Sequence, residues 1–391
     1  MLRKIRIALA TLSLLLITLL FLDFTGVLHH WFGWLAKVQF LPAVLALNVV
    51  VIIALILITL LFGRIYCSVI CPLGIMQDVV ARLRRKKNKY SYSPAKNWLR
   101  YPILAVFIVA IVAGVGSLVA LLAPYSSFGR IVSNLLQPIY LWGNNMLAGI
   151  AEHYESYTFY EVDIWMRSLP TFIIAAVSFL IISALALKGG RTYCNTICPV
   201  GTVLGFISRF SIFGISINKD KCRKCGKCAK NCKASCIDIK TMTIDKSRCV
   251  TCGNCLNQCV FDALHYVPNL KASLSTKEES TTSAASASAN EVDGNRRAFL
   301  ASTAMLTTTA ALAQAEKKVD GGLAAVEDKI IPERNTPITP PGSLSARNFA
   351  QHCTGCQLCV SQCPNKVLRP STGLMNLMQP EMSYERGYCR I

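Results

Sequence analysis

Three features of the sequence predict a multi-domain membrane protein, an α-helical transmembrane bundle carrying small cysteine-bound α+β domains. The 391-residue chain is 53% hydrophobic and only 16% charged, against about a quarter charged in soluble proteins. Its apolar residues gather in runs long enough to cross about 30 Å of hydrocarbon. Its 18 cysteines fall mostly in dense groups separated by two or three residues. A disulfide framework belongs to small secreted domains, and this chain is neither small nor simply secreted. The formal charge of +20 does not point to nucleic acid. The basic residues stand beside apolar spans, where they hold loops in the cytoplasm, rather than in aromatic-interleaved patches.

Residues 1–217 read as a four-span membrane domain. Arg3, Lys4 and Arg6 precede the apolar run 7–24, which enters from the cytoplasm and lacks a clear cleavage site. Residues 40–62 return, and the basic stretch Arg82, Arg84, Arg85, Lys86, Lys87 and Lys89 holds the next loop inside. Residues 101–123 and 170–187 supply the third and fourth spans. The loop between them carries Glu152, Glu155, Glu161 and Asp163, as expected outside, and its apolar part, 131–150, is expected to lie along the interface. Asp23 ends the first span near His29 and His30; a carboxylate in a span is a functional candidate, although one at a helix end is more often solvated.

Within this domain the stretch Gly63-Arg64-Ile65-Tyr66-Cys67-Ser68-Val69-Ile70-Cys71-Pro72-Leu73-Gly74 recurs at 190–201 as Gly-Arg-Thr-Tyr-Cys-Asn-Thr-Ile-Cys-Pro-Val-Gly. Each copy follows an even-numbered span, which implies a duplicated helix pair about a pseudo-twofold axis. Cysteines four apart share one face of a helical turn, so Cys67 with Cys71 and Cys194 with Cys198 form two-thiol clamps. Two clamps meeting at the axis would supply four thiolates, the number that holds an iron–sulfur cluster. Tetrahedral zinc and inert helix-end thiols are the alternatives.

Residues 218–268 carry two copies of the spacing C-x2-C-x2-C-x3-C: Cys222, Cys225, Cys228, Cys232 and Cys249, Cys252, Cys255, Cys259. This is the spacing of bacterial-type 2[4Fe–4S] ferredoxin domains, in which the fourth thiol of each run serves the other cluster. Cys222, Cys225, Cys228 and Cys259 are then one ligand set; Cys249, Cys252, Cys255 and Cys232 are the other. Lys233 and Val260 stand where a proline usually follows the fourth cysteine, which affects loop geometry rather than ligation. Cys236 is an extra thiol expected to pack in the core.

A Ser/Thr/Ala-rich linker occupies 269–294. At 295–316, Arg296-Arg297-Ala298-Phe299-Leu300 and a mildly apolar run resemble a twin-arginine signal, which would form a fifth span or an export signal starting in the cytoplasm. Residues 317–391 then form an exported ferredoxin-like domain. Cys353, Cys356, Cys359 and Cys363-Pro364 repeat the ferredoxin spacing, and Cys389 looks like the first thiol of a further triplet. The domain is accordingly expected to be truncated at its C-terminus, with both of its clusters incomplete.

Taken together, residues 1–267 resemble the membrane ferredoxin subunit of periplasmic nitrate reductase systems, with its spans, paired Cys-x3-Cys-Pro motifs and two-cluster domain. Residues from about Arg296 onward resemble the exported ferredoxin subunit of the same systems, including Pro340-Pro341-Gly342 and Phe349. The resemblance implies a polyferredoxin of the bacterial inner membrane, a quinol dehydrogenase component. It implies electrons drawn from the quinol pool and passed to a periplasmic reductase or cytochrome, with membrane lipid and the twin-arginine export machinery as further partners. Its first ferredoxin domain would be cytoplasmic and its C-terminal domain periplasmic. Relatives of a second class imply the alternative, an iron–sulfur regulatory or assembly factor. A reporter fused after Ser343 is expected to be exported, and replacing Arg296 and Arg297 by lysine to abolish export; a cytoplasmic signal from the unmodified fusion would contradict it.

Overall fold

The computed structural model describes residues 2–84, 90–154, 160–164, 167–268, 319–320, 324–325, 337–385 and 388–389. The expected linker and twin-arginine segment lie outside these residues. The chain forms two compact units, Met1–Thr276 together with Thr336–Ile391, and Lys277–Asn335.

In the first unit, α1 (Leu2–Leu22) runs without an internal proline or glycine. It stops at Asp23, whose carboxylate accepts the N–H groups of Thr25 and Gly26 at 3.0 Å and of His29 at 3.1 Å. That carboxylate, 6% exposed, turns the chain into α2 (Val27–Phe32) and α3 (Trp34–Lys37). The segment 40–62 is split into α4 (Phe40–Leu45) and α5 (Val49–Phe62). Leu47 takes a left-handed φ of 51°, and the Asn48 side chain caps α5 by accepting from Val51 N. After α6 (Tyr66–Val69) and α7 (Pro72–Arg82), the segment 101–123 is likewise split. α8 (Asn97–Ala113) ends at Gly114, φ 73°, and α9 (Gly116–Leu122) follows. α10 (Pro124–Ile131), a π-helical turn (Val132–Leu136) and α11 (Gln137–His153) precede the second long helix, α12 (Leu169–Gly189).

Only Arg3–Leu22 and Leu169–Gly189 are, among the described residues, long and apolar enough to cross a membrane; Val49–Phe62 and Asn97–Ala113 are shorter apolar helices. The four-span expectation is revised accordingly: two of the four apolar segments form continuous long helices, and two are interrupted where a residue with positive φ breaks the helical hydrogen-bond ladder. The expected interfacial segment 131–150 is also revised. Its first part is enclosed, because the fully buried Arg130 donates to Ala120 O at 2.6 Å and Ser127 Oγ at 3.2 Å. α11 alone keeps an exposed apolar stripe, Ile139, Trp142, Met146 and Ile150. Comparable stripes line α1 (Ile5, Leu9, Leu12, Leu19), α5 (Val50, Ile53, Leu57, Leu61) and α12 (Ile173, Val177, Leu180). Apolar surface this extensive is what a lipid-facing wall requires and what a soluble monomer avoids.

α13 (Thr192–Thr196) and α14 (Pro199–Ile207) lead into an α+β module. Strands β1 (Phe213–Ile217) and β4 (Leu264–Pro268) pair antiparallel with Ile215 opposite Tyr266, and β2 (Ile237–Asp238) pairs with β3 (Thr243–Ile244). A short α15 (Lys227–Lys230) lies between them. The module docks on the end of α5: Ile212 N donates to Leu60 O at 2.7 Å, Thr251 Oγ1 to Phe62 O at 3.1 Å, and Phe62 stacks on Phe213. In the second unit the described residues are the paired strands β5 (Val319–Asp320) and β6 (Ala324–Ala325).

The last part of the first unit contains α16 (Ala346–His352), α17 (Leu358–Gln362) and the antiparallel pair β7 (Leu368–Pro370) and β8 (Pro380–Met382). It packs against α1, α9 and α10. Gln362 Nε2 donates to Leu20 O at 3.1 Å and Asp23 O at 2.7 Å, Ser126 Oγ to Thr354 O at 2.7 Å, and Asn134 to Gln357 at 3.0 Å. Gly129 permits this approach, since a Cβ there would lie 2.5 Å from Cys356 O and 2.7 Å from the Phe21 ring. Gly129→Ala is expected to loosen this docking at a cost of about 1–3 kcal/mol, seen as faster limited proteolysis within residues 337–385 while the α+β module stays resistant.

Candidate iron–sulfur centres

The three cysteine loops share one backbone. Counting from the first cysteine of each, the residues at +2, +4 and +13 have left-handed φ: Lys224, Gly226 and Ser235; Thr251, Gly253 and Asp262; Gly355, Gln357 and Lys366. Six of these nine are not glycine, and each such residue costs on the order of 1–3 kcal/mol unless its surroundings enforce it. The repeated strain curls each triplet so that its thiols point to one side.

Cys222, Cys225, Cys228 and Cys259 line one cavity, with Ile217, Phe261 and Leu264 between them. Cys232, Cys249, Cys252 and Cys255 line a second, with Ile215 and Ile237. These are the two sets that the crossover of fourth cysteines assigns. Cys236 belongs to the second ring as well, with its Sγ 3.5 Å from that of Cys232; sequence spacing alone gave no signal for this. Burial holds the Cys255 thiol well above its ordinary pKa, so the free thiolate is disfavoured there. Among the described residues no three Cys, His, Asp or Glu side chains are drawn together tightly enough to hold a single metal ion. The thiols instead ring cavities, as the corners of a cubane require, and the donor set fits [4Fe–4S] clusters.

The duplicated motif brings its four cysteines into one core. Cys67, Cys71, Cys194 and Cys198 are all buried and pack in the same cluster as Tyr66 and Tyr193. The two arginines cross: Arg64 Nη2 donates to Cys194 O at 3.3 Å, and Arg191 Nη1 donates to Cys67 O. A Cβ on Gly74 would collide with Cys67 O and the Arg191 guanidinium, and one on Gly201 with Cys194 O and the Arg64 guanidinium. The glycine that closes each motif is thus the notch through which the other copy's arginine passes. Gln77 Nε2 and Gly201 N donate to Cys194 and Cys198 Sγ, each at 3.3 Å. Burial, partly offset by Arg191, pushes the Cys194 thiol up to about 11.

Beyond the repeated motif the two copies diverge in charge. Seven residues after the second cysteine, the first copy has Asp78 and the second has Gly205. Asp78 accepts a bidentate pair from Arg191, Nε at 2.9 Å and Nη2 at 2.8 Å, and lies 3.0 Å from Lys233 Nζ and 3.5 Å from Arg6. At Gly205 there is no room for a side chain: Arg100 and Ser247 O occupy it, and Arg64 and Arg100 both donate to Ser247 O. Lys233, which replaces the expected proline, therefore joins the α+β module to the bundle.

Along α1 the three cysteine groups occur in sequence. The loop of Cys252 and Cys255 approaches its start, where Arg3 Cβ lies 4.0 Å from a Cβ built on Gly253. Ile70, beside Cys71, accepts from Ser13 at its middle at 3.4 Å. Gln362, beside Cys363, bonds at its end. Twenty-one helical residues span about 30 Å, so adjacent groups are separated by roughly 15 Å along the axis. Cys353, Cys356 and Cys359 belong to the third group. Cys389 stands next to Tyr388, whose carbonyl accepts from Asn365 at 2.8 Å, two residues beyond Cys363. Asp23, a functional candidate by sequence, is a capping carboxylate with its oxygens engaged by the N–H groups of Thr25, Gly26 and His29 and by the Thr25 hydroxyl.

Comparison with known proteins matches the "4Fe-4S binding domain" at residues 44–90 and 171–218, the two halves of the duplicated region, and the "4Fe-4S dicluster domain" at residues 245–367. The second match joins the cysteine groups of 249–259 and 353–363, which the folded chain holds at opposite ends of α1. YccM of Escherichia coli, named for electron transport, is 28% identical over 199 residues, 49% of this chain and 47% of its own. The methylamine utilization ferredoxin-type protein MauN of Paracoccus denitrificans is 25% identical, covering 44% of this chain and 48% of its own. The ferredoxin-type protein NapH of Escherichia coli is 26% identical, covering 49% and 55%. The chain thus spans about half the length of these relatives. No solved structure matches.

Burial by itself would raise the Asp78 pKa, but Arg191 and then Lys233 outweigh it and hold the carboxyl well below the usual range. Asp78→Asn leaves Arg191 and Lys233 buried without a counter-charge and is expected to cost about 3–5 kcal/mol. A lowered folded pKa means that this contribution is complete above the unfolded value of about 3.9 and fades as pH falls through the lower folded value. Denaturant unfolding of both proteins is expected to show a constant gap from neutral pH to mildly acidic pH, closing only in strong acid.

Proposed function

We propose that this chain is an iron–sulfur electron carrier of the bacterial cytoplasmic membrane. It takes electrons from the quinol pool and passes them along α1 to a periplasmic reductase or cytochrome. The observation that carries this reading is the order of thiol groups on α1: the α+β module at its start, the four-thiol core at its middle, the C-terminal loop at its end. The clusters supply one-electron chemistry when bound. The protein's own residues do the rest. Cys222, Cys225, Cys228 and Cys259, then Cys232, Cys249, Cys252 and Cys255, would hold two clusters in the module. Cys67, Cys71, Cys194 and Cys198 would hold one in the bundle, where Arg64 and Arg191 offset the negative charge of four thiolates. Apolar walls exclude water, which raises the influence of those fixed charges.

The reading includes a topology, which the same arrangement supports. The basic end of α1 and of α7 would lie in the cytoplasm with the first ferredoxin domain, and residues 337–389 would lie on the periplasmic side, delivered by the twin-arginine route. The apolar stripes on α1, α5, α11 and α12 support embedding in lipid, and the names of NapH, MauN and YccM agree with ferredoxin-type electron transport.

The anaerobically purified full chain is expected to contain iron and acid-labile sulfide, and a quinol analogue in membrane vesicles is expected to reduce its centres. Cys198→Ser is expected to remove one spectroscopic centre, about four iron atoms per chain, and leave the module's signals. An unchanged iron count would exclude the four-thiol cluster. Quinol that reduces no centre would exclude the quinol dehydrogenase reading and favour the regulatory or assembly role.

A further inference from the structure

At the junction of the bundle and the α+β module lies a polar cavity of about 130 Å³ that the electron path does not use. This is room for several waters or one tetrahedral anion. Its walls carry Arg3 from the start of α1, Arg82 from the end of α7, Lys233, Asn231, Asn254 and Tyr90. These are side chains that donate hydrogen bonds. The one carboxylate in the lining is Asp78, and it is already engaged by Arg191, Lys233 and Arg6. Arg3 Nε is buried with no hydrogen-bond partner among the described residues.

A cavity with three cationic side chains, three neutral donors and one spoken-for acid is built for an anion that accepts on several sides. We propose that it binds a phosphate group, with Arg3 and Arg82 as the principal contacts and Lys233, Asn231 and Asn254 completing the cradle. Guanidinium matches phosphate oxygens in a fork that water cannot reproduce. The cavity opens where the charged ends of α1 and α7 meet the membrane surface in the topology proposed above, so the phosphate belongs either to an anionic phospholipid headgroup or to the solution. Lys233 follows Cys232, and Asn254 lies between Cys252 and Cys255. An anion seated there adds negative charge beside that thiol ring, so its arrival lowers the potential of the centre nearest the membrane surface. This redox consequence rests on the cluster reading; the binding itself does not.

Two arms test it on the full chain. Delipidated protein is titrated with radiolabelled inorganic phosphate, and separately reconstituted with phosphatidylglycerol or phosphatidylcholine vesicles before detergent extraction and assay of retained lipid phosphorus. Saturable binding of phosphate, or retention of phosphatidylglycerol over phosphatidylcholine that added phosphate does not displace, supports the site and identifies its source. The double variant Arg3→Gln/Arg82→Gln is expected to lose roughly tenfold or more in affinity, as two charge-assisted contacts imply. If the double variant does not assemble, Arg82→Gln alone, at the exposed rim, is expected to show the same direction. Wild-type protein that binds neither probe, or variants that bind as wild type does, would overturn the proposal. In iron-loaded protein the bound anion is expected to lower the midpoint potential of one centre. Protein that binds phosphate yet contains no iron would sink the electron-transfer reading and leave the phosphate site standing.

Discussion

Arg64 and Arg191 lie fully buried at the heart of the bundle, and burying a guanidinium is costly unless its donors and charge are met. Arg64 and Arg191 meet this demand by crossing: each bonds the carbonyl of the first cysteine in the other copy of the motif. The crossing brings the two Cys-x3-Cys clamps into one core. It dictates glycine at 74 and 201, because any side chain there would occupy the path of an arginine. It also makes the bundle depend on both halves at once, since each guanidinium takes its carbonyl acceptor from the other copy.

The charge balance of the two copies diverges at Asp78. Its carboxylate collects Arg191, Lys233 and Arg6, tying the second copy, the α+β module and the start of α1 to a single point. The other copy has glycine at the matching position and leaves Arg64 and Arg100 sharing a carbonyl. Among the described residues no carboxylate is bonded to either of these arginines. A cluster held by four thiolates is anionic, so this excess suits the group that the thiols would hold. The same imbalance near Arg3 and Arg82 is what makes the junction cavity an anion site.

α1 gives these parts their distances. A helix of its length is about as long as a bilayer core is thick, and it touches a thiol group at each end and one at its middle. Near the breaks at residues 46–48 and 114–115 other parts of the chain approach closely: Gln379 and Ala350 crowd Gly116, where a Cβ would collide with the Gln379 amide.

Ligand chemistry was legible in the sequence, because cluster loops are local. Spacing of two and three residues assigns Cys222–Cys259 to two sets, and the structure rings two cavities with those same sets. The duplicated motif was equally legible, since it repeats as a string. Helix continuity was not, because Leu47 and Gly114 take positive φ for reasons set by distant packing, so runs that read as spans are broken. Nor was the partner of Lys233, which looked like a missing proline and proved to be one arm of the Asp78 network, or the place of Cys236 in the second ring. The sequence by itself determined which thiols fall into one loop, through short-range spacing that no fold can alter. Only the tertiary structure decided which thiol groups share a core and in what order they line α1, because those relations depend on contacts between residues from 57 to 342 positions apart.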